Sequence, residues 1–217
     1  MSDVLKLKNQ TGAGLMDCKK TLEEVKGDYE KAVALLRERG LAKAAKKEGS
    51  DRINSEGYIF SYAHQGAGRI VVIVEINCET DFAAKAEQFQ QLGKDIAMHI
   101  AASNPQFLDE SQVPAATLKA EQEIFKAQAK NEGKPDKVIE RMVEGRIKKY
   151  YEENCLVHQP FVKDPSKTVA QLVTETVAVI GEKISIRRFV RWEVGEGLEK
   201  KEDNFAEEVA KQVAGQR

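Results

Sequence analysis

Histidine, cysteine and paired carboxylates build most active sites and metal centres, and this sequence spreads them thinly. His64, His99 and His158 fall on separate segments, and Cys18, Cys78 and Cys155 lie far apart with no C-x-x-C pair. A structural zinc needs closely spaced ligands and a disulfide framework an even set, so both are disfavoured. No H-E-x-x-H, G-x-S-x-G or phosphate-loop pattern occurs. Cysteine with a distant histidine is a weak nucleophile–base signal, because that pairing arises by chance in most proteins. The thiols read as small buried hydrophobes, with one alternative, a bridge between two chains of a dimer. No enzyme activity, catalytic residue, cofactor or metal is expected.

Two other stretches stand out. Thr11-Gly12-Ala13-Gly14-Leu15-Met16-Asp17-Cys18-Lys19-Lys20-Thr21-Leu22 is a doubly glycined turn feeding a helix. On residue chemistry alone, a tight inter-helix turn has the edge over a docking surface. Asn77-Cys78-Glu79-Thr80-Asp81-Phe82-Ala83-Ala84-Lys85 sits between a strand and a helix. Thr80 or Asp81 is its N-cap, and Phe82 either opens the buried stripe of the next helix or faces a partner. The buried reading is favoured locally, yet strand-to-helix corners are where a rigid scaffold presents a side chain outward.

The elements that position these stretches follow from periodicity. Leu15, Cys18, Leu22 and Val25 make one helical stripe, and Gly27-Asp28 stops that helix and caps the next. Tyr29, Ala32, Val33 and Leu36 make a second stripe ending at Gly40. Such short helices pack only as a bundle. Lys43 to Ser50 lacks large apolar side chains and reads as a tether. Tyr58–Tyr62 and Arg69–Ile76 are β-rich, joined by a glycine-punctuated hairpin connection. Phe82, Ala86, Phe89, Leu92, Ile96 and Ile100 then form a helical stripe. Helices over about 116–130 and 136–153, joined through Gly133 and Pro135, make an αα-hairpin. A helix from Thr168 to Ile180 ends at Gly181. Ile184 to Val194 reads as a third antiparallel strand, with Ile184, Ile186, Val190, Trp192 and Val194 on one face. A short amphipathic helix around Phe205, Val209 and Val213 ends the chain.

The expected fold class is α+β, divided as a helical unit with its tether (1–50), a core of hairpin and long helix (51–114), a helical protrusion (115–155), a core completion (156–197) and a C-terminal module (198–217).

Charge narrows the function. The 217 residues carry 34 Lys+Arg against 35 Asp+Glu, a net charge of −1, which argues against binding nucleic acid through the whole chain. Aromatics are 6% with one Trp, too few for base-stacking platforms. The balance hides two patches. Lys134 to Lys149 holds six basic residues against three acids, and Glu193 to Glu208 holds seven acids against two lysines. The basic arm keeps one alternative open, an RNA- or ribosome-associated protein using residues 134–149. Asp136, Glu140 and Glu144 interleave there at near-helical spacing, the pattern of a self-paired solvated face, so no direct nucleic-acid partner is expected. No apolar run approaches membrane-spanning length and the first residues lack a signal pattern, so the expected location is cytoplasmic, with no membrane partner.

Five motifs together resemble the bacterial translation elongation factor Ts family: T-G-A-G-L-M-D-C-K-K-T-L at 11–22, N-C-E-T-D-F-A-A-K at 77–85, M-V-E-G-R-I-K-K-Y at 142–150, Q-P-F-V-K-D-P-S-K-T-V at 159–169 and R-W-E-V-G-E-G-L-E-K at 191–200. They span nearly the whole chain in the family's order. The resemblance implies a guanine-nucleotide exchange factor for elongation factor Tu, without covalent chemistry. It implies that Thr80, Asp81, Phe82 and Ala83 enter GDP-bound Tu near its magnesium site, the ring displacing elements that hold Mg²⁺ and phosphate. It makes the N-terminal unit a ubiquitin-associated-like three-helix domain that docks on the GTPase, with Met16, Asp17 and Cys18 as contacts. It adds Met98 and His99 as contacts, the αα-hairpin as a coiled-coil protrusion, and the C-terminal tail as a module packing on the GTPase. Ala83 departs from the Val that many members carry. Long members hold two core halves; this chain has one hairpin–helix unit, as in short members, some of which recover the second half by homodimerising. A homodimer is therefore expected.

Overall fold

The computed structural model describes residues 3–48, 54–66, 68–133 and 135–198. The acidic stretch beyond residue 198 and the helix expected around Phe205, Val209 and Val213 lie outside these residues. In chain order the elements are helices α1 (Asp3–Thr11), α2 (Leu15–Glu24) and α3 (Tyr29–Glu48), strands β1 (Glu56–Ala63) and β2 (Ile70–Cys78), a one-turn helix α4 (Asp81–Lys85), and the long helix α5 (Glu87–Ser103). An antiparallel pair, α6 (Ala115–Asn131) and α7 (Asp136–Asn154), follows. Last come a small ladder of β3 (Pro160–Phe161) and β4 (Asp164–Thr168), then α8 (Val169–Ile180) and β5 (Ile184–Glu193).

The first three helices close on Leu7, Cys18, Leu22, Ala32 and Leu36; the expected stripes supply all but Leu7, while Leu15, expected in the first stripe, is exposed. Asp28 caps the third, its Oδ1 accepting from Lys31 N–H at 3.1 Å. That helix does not end at Gly40: it continues to Glu48, so Lys43 to Glu48 is helix rather than tether. The reason is small side chains. Ala44 is buried in the main core, and Gly40 faces Ala178, so α3 lies close against α8 where bulkier residues would hold it off. Arg37 adds an ion pair across this contact, reaching Glu175 at 2.8 Å.

The sheet has the order β1-β2-β5, antiparallel throughout, which completes the expected three strands. Phe60, Val74 and Phe189 align across it, as do Tyr62, Val72 and Arg191. Near its middle Glu75 opposes Arg188 while Ile76 opposes Ile186, leaving Arg187 as an extra residue on β5. Side chains alternate with a period of two, so one added residue reverses the faces beyond it. Ile184 and Ile186 point into the core as expected, but Val190 and Trp192 fall on the outer face, where Trp192 is 60% exposed. Arg187 and Arg188 both reach Glu75, at 2.8 and 2.7 Å. Their hydrogen bonds, Arg187 first, hold its carboxyl below the usual range.

Against the inner face pack Phe89, Leu92, Ile96 and Ile100 of α5, with Val173 and Val177 of α8. The stripe therefore starts at Phe89, because the helix expected from Phe82 is broken at Ala86, whose ψ of 140° is extended. A capping box of Thr168 and Gln171 starts α8, and Gly181 in a left-handed conformation ends it. The αα-hairpin has its own small core of Ala129, Ile139 and Val143. In its basic arm Lys148 and Lys149 pair with Glu152 and Glu153, at 4.0 and 3.6 Å.

All three cysteines are free and fully buried, so none offers an exposed thiol for an inter-chain bridge. Among the described residues no helix is long and apolar enough to cross a membrane.

Candidate functional site

The corner after β2 joins the end of the strand at Cys78 to the one-turn helix α4. Thr80 leaves the strand in extended backbone, and its Oγ1 accepts from Ala83 N–H at 3.2 Å, capping α4. The threonine has a second task. Its backbone N–H donates to Glu182 Oε2 at 3.0 Å, and its hydroxyl donates to Glu182 Oε1 at 2.7 Å. One residue earlier, Glu79 Oε1 accepts from Lys183 N–H at 2.9 Å and pairs with Lys47 of α3 at 3.0 Å. Cys78 Sγ donates to Thr80 O at 3.1 Å. Burial, then the nearby Glu182 carboxylate, pushes the Cys78 thiol up to about 11, so it stays protonated and structural.

This frame presents Phe82 to solvent at 82% exposure. Burying a phenylalanine side chain stabilises a fold by about 2 kcal/mol, and here that gain is forgone on a helix of one turn. The turn is anchored by the opposite face, where Ala83 and Ala84 are buried in the main core. Ala83 is thus a footing for the corner rather than part of its exposed surface. Asp81 is exposed and pairs with Lys85 at 2.8 Å. The hydrogen bond from Lys85 lowers the Asp81 carboxyl below its ordinary value and raises the lysine in turn. The corner offers one ring and one compensated carboxylate. Among the described residues no group of His, Cys, Asp or Glu is arranged to hold a metal.

The other expected contact residues are scattered. Met16 is 63% exposed at the start of α2, beside an exposed Leu15. Asp17 reaches Lys43 of α3 at 3.6 Å. Cys18 departs from the expectation of a contact, because it is buried in the three-helix core with its Sγ 3.7 Å from Ala13 O. His99 also departs from it. The ring is fully buried, its Nδ1 accepts from Val162 N–H at 3.2 Å, and Nε2 lies 3.0 Å from Gln159 Oε1. An N–H donated to Nδ1 leaves Nε2 as the protonated nitrogen, donating to Gln159. Desolvation lowers the His99 pKa, which fits a neutral ring that ties α5 to the chain after α7. Met98 beside it is half-buried.

A cleft of about 690 Å³ lies between the three-helix unit and α8, lined by Gly12, Asp17, Arg37 and Val179 among others. Neither Asp81 nor Phe82 lines it.

Sequence reasoning missed Glu182, Glu79 and Lys47. Glu182 lies 102 residues from Thr80, and no local pattern joins them. Of the two local readings of Phe82, buried or facing outward, the sequence favours the buried one because no Gly or Pro marks the break at Ala86.

A family model described as Elongation factor TS matches residues 3–196. The chain is 61% identical to the Elongation factor Ts of Acetivibrio thermocellus over 212 residues, covering 98% of this chain and 97% of that protein. It is 60% identical to the Elongation factor Ts of Desulforamulus reducens over 98% of this chain and 96% of that one, and 60% identical to that of Alkaliphilus oremlandii. The matched residues include the three-helix unit, the sheet and the Phe82 corner, and by this likeness over almost its whole length the chain belongs to the elongation factor Ts family.

Proposed function

We propose that this protein is a guanine-nucleotide exchange factor for elongation factor Tu, binding its GDP complex and releasing GDP so that GTP replaces it in the cytoplasm. The observation that carries the reading is Phe82, almost wholly exposed on a one-turn helix whose other face is fixed in the core. GTPases hold nucleotide phosphates with Mg²⁺ and backbone amides, so a small displacement of those elements removes compensation from a multiply charged ligand. A ring supplies that displacement without adding charge, and Asp81 supplies a carboxylate at the same corner. Weakening is reciprocal: a factor that loosens GDP must itself be loosened by GDP in equal measure. The complex of all three is therefore transient, and the direction of exchange follows the ratio of GTP to GDP.

In this reading the three-helix unit is the ubiquitin-associated-like domain, docking through the exposed Leu15 and Met16. A homodimer forms across the outer face of the sheet, where Ile59 is 66% and Trp192 60% exposed and Ile73 lies opposite Val190. An apolar sheet face of this kind is the surface that a second copy covers in an isologous pair. The RNA-binding alternative is less favoured, since Lys148 and Lys149 are paired within α7 and Arg146 lies over Phe125 at 6.0 Å.

The test is release of a fluorescent GDP analogue from elongation factor Tu. Catalytic amounts of this protein are expected to accelerate release, and no acceleration at any concentration would overturn the reading.

A further inference from the structure

We propose that Glu182 is a positioning residue for nucleotide exchange, holding the Phe82 corner in the geometry in which it meets the GTPase; this rests on the exchange reading above. Helix α4 has five residues, too few to be stable alone. A wedge on such a turn works only if the turn keeps its shape when loaded.

The clasp is reciprocal. From the loop after α8, the Glu182 carboxylate reaches Thr80 and takes both of its donors, the N–H at 3.0 Å and the hydroxyl at 2.7 Å. From the corner, the Glu79 carboxylate reaches back and takes the N–H of Lys183 at 2.9 Å. Gly181, left-handed with φ of 80°, turns the chain so that Glu182 and Lys183 face the corner together. The polarity of Thr80 Oγ1 depends on this. Its proton is committed to Glu182, so a lone pair is left for Ala83 N–H, the only side-chain cap of α4. A carboxylate does this best, because it has two acceptors and no donor to repel the threonine N–H.

The clasp touches neither Phe82 nor Asp81, so it leaves their outer surfaces free. Its contribution is preorganisation: the corner is ordered before the partner arrives, and binding free energy is not spent on ordering it. The second carboxylate extends the hold to α3 through Lys47, so the helix that belongs to the N-terminal unit is also fixed beside the corner.

The experiment is GDP release from the GTPase as a function of factor concentration, separating the maximal rate from the half-saturating concentration. With Glu182→Gln, one acceptor is replaced by a donor facing a donor. The maximal rate is expected to fall about tenfold, as for loss of a charge-assisted hydrogen bond, while half-saturation moves less than about threefold because the three-helix unit still docks. Thr80→Val is expected to behave alike, and Thr80→Ser to restore the rate. The double variant Glu182→Gln with Thr80→Val is expected to be no worse than either alone, since both act through the same bonds. In the isolated protein, hydrogen exchange at the Ala83 amide is expected to speed up in Glu182→Gln while amides of α5 stay protected.

Glu182→Gln with a wild-type maximal rate, losses that multiply in the double variant, or a loss that merely tracks a lowered melting temperature would each overturn the inference. Two failures read differently. A wild-type protein without effect on GDP release overturns the exchange reading and this inference together. An active wild type with an equally active Glu182→Gln overturns this inference alone.

Discussion

Gly12 lies against Val179: a β-carbon on the glycine would come within 2.6 Å of the valine Cγ1. The turn between α1 and α2 is thus an inter-helix turn and also the place where the three-helix unit seats on α8. Gly12 further has φ of 68°, a backbone conformation that side chains disfavour.

Gly12→Ala is therefore expected to cost about 1–3 kcal/mol of stability from the contact and the backbone together. Urea denaturation measures it. Adding Val179→Ala opens the contact, so the double variant is expected to recover part of the loss; recovery of none would show that the backbone strain alone is responsible.

Removing the ring at Phe82 is expected to separate function from folding. Phe82→Ala leaves stability within about 0.5 kcal/mol, since the side chain is in solvent, while GDP release at a subsaturating concentration falls about tenfold or more, as for loss of an aromatic anchor. Phe82→Leu is expected to lie between. Equal acceleration by all three proteins would remove the wedge.

His99 gives the fold a pH dependence. Its folded pKa is lowered by burial, so below the ordinary histidine value, near 6.5, the unfolded chain binds a proton that the folded chain excludes. The contribution is fully present above that value and is lost as pH falls through the folded pKa, with a slope of at most about 1.4 kcal/mol per pH unit. Denaturation of wild type and His99→Gln between pH 7.5 and about 5 is expected to show a steeper loss in the wild type. Parallel curves would mean that the ring is not excluded from protonation.

Trp192→Glu places a charge on the outer sheet face, near the end of β5. Light scattering at micromolar concentration is expected to give a dimer for wild type and a monomer for the variant, with the melting curve of the monomer little changed. A monomeric wild type, alone and with the GTPase, would end the dimer reading.

How much of this was legible depends on where each determinant lies along the chain. The β1–β2 hairpin could be read because its alternation and its glycines are local, and the αα-hairpin because Gly133 and Pro135 interrupt two helical periods. Trp192 was assigned to the wrong face because Arg187 is a bulge residue, which looks in sequence like one more member of an alternating run. The far end of α3 was misread because Ala44 packs through being small, and a short side chain in a lysine-rich run resembles solvent-facing chain. At the corner, the N-cap and the ring could be found by residue type, whereas the exposure of Phe82 depends on a break at Ala86 that no Gly or Pro marks, and the hold of Glu182 comes from 102 residues away in sequence.

The length of α3 has a mechanical meaning. At about 1.5 Å per residue, its 20 residues span about 30 Å. They pack on α2, which bears Met16, and their last turn carries Lys47, paired beside the Phe82 corner. The two arms are thereby set at a fixed gauge, like the jaws of a caliper. Lengthening the helix by a single residue would therefore swing one end about 100° around the other, which in the exchange reading proposed above would misalign the two surfaces for one partner.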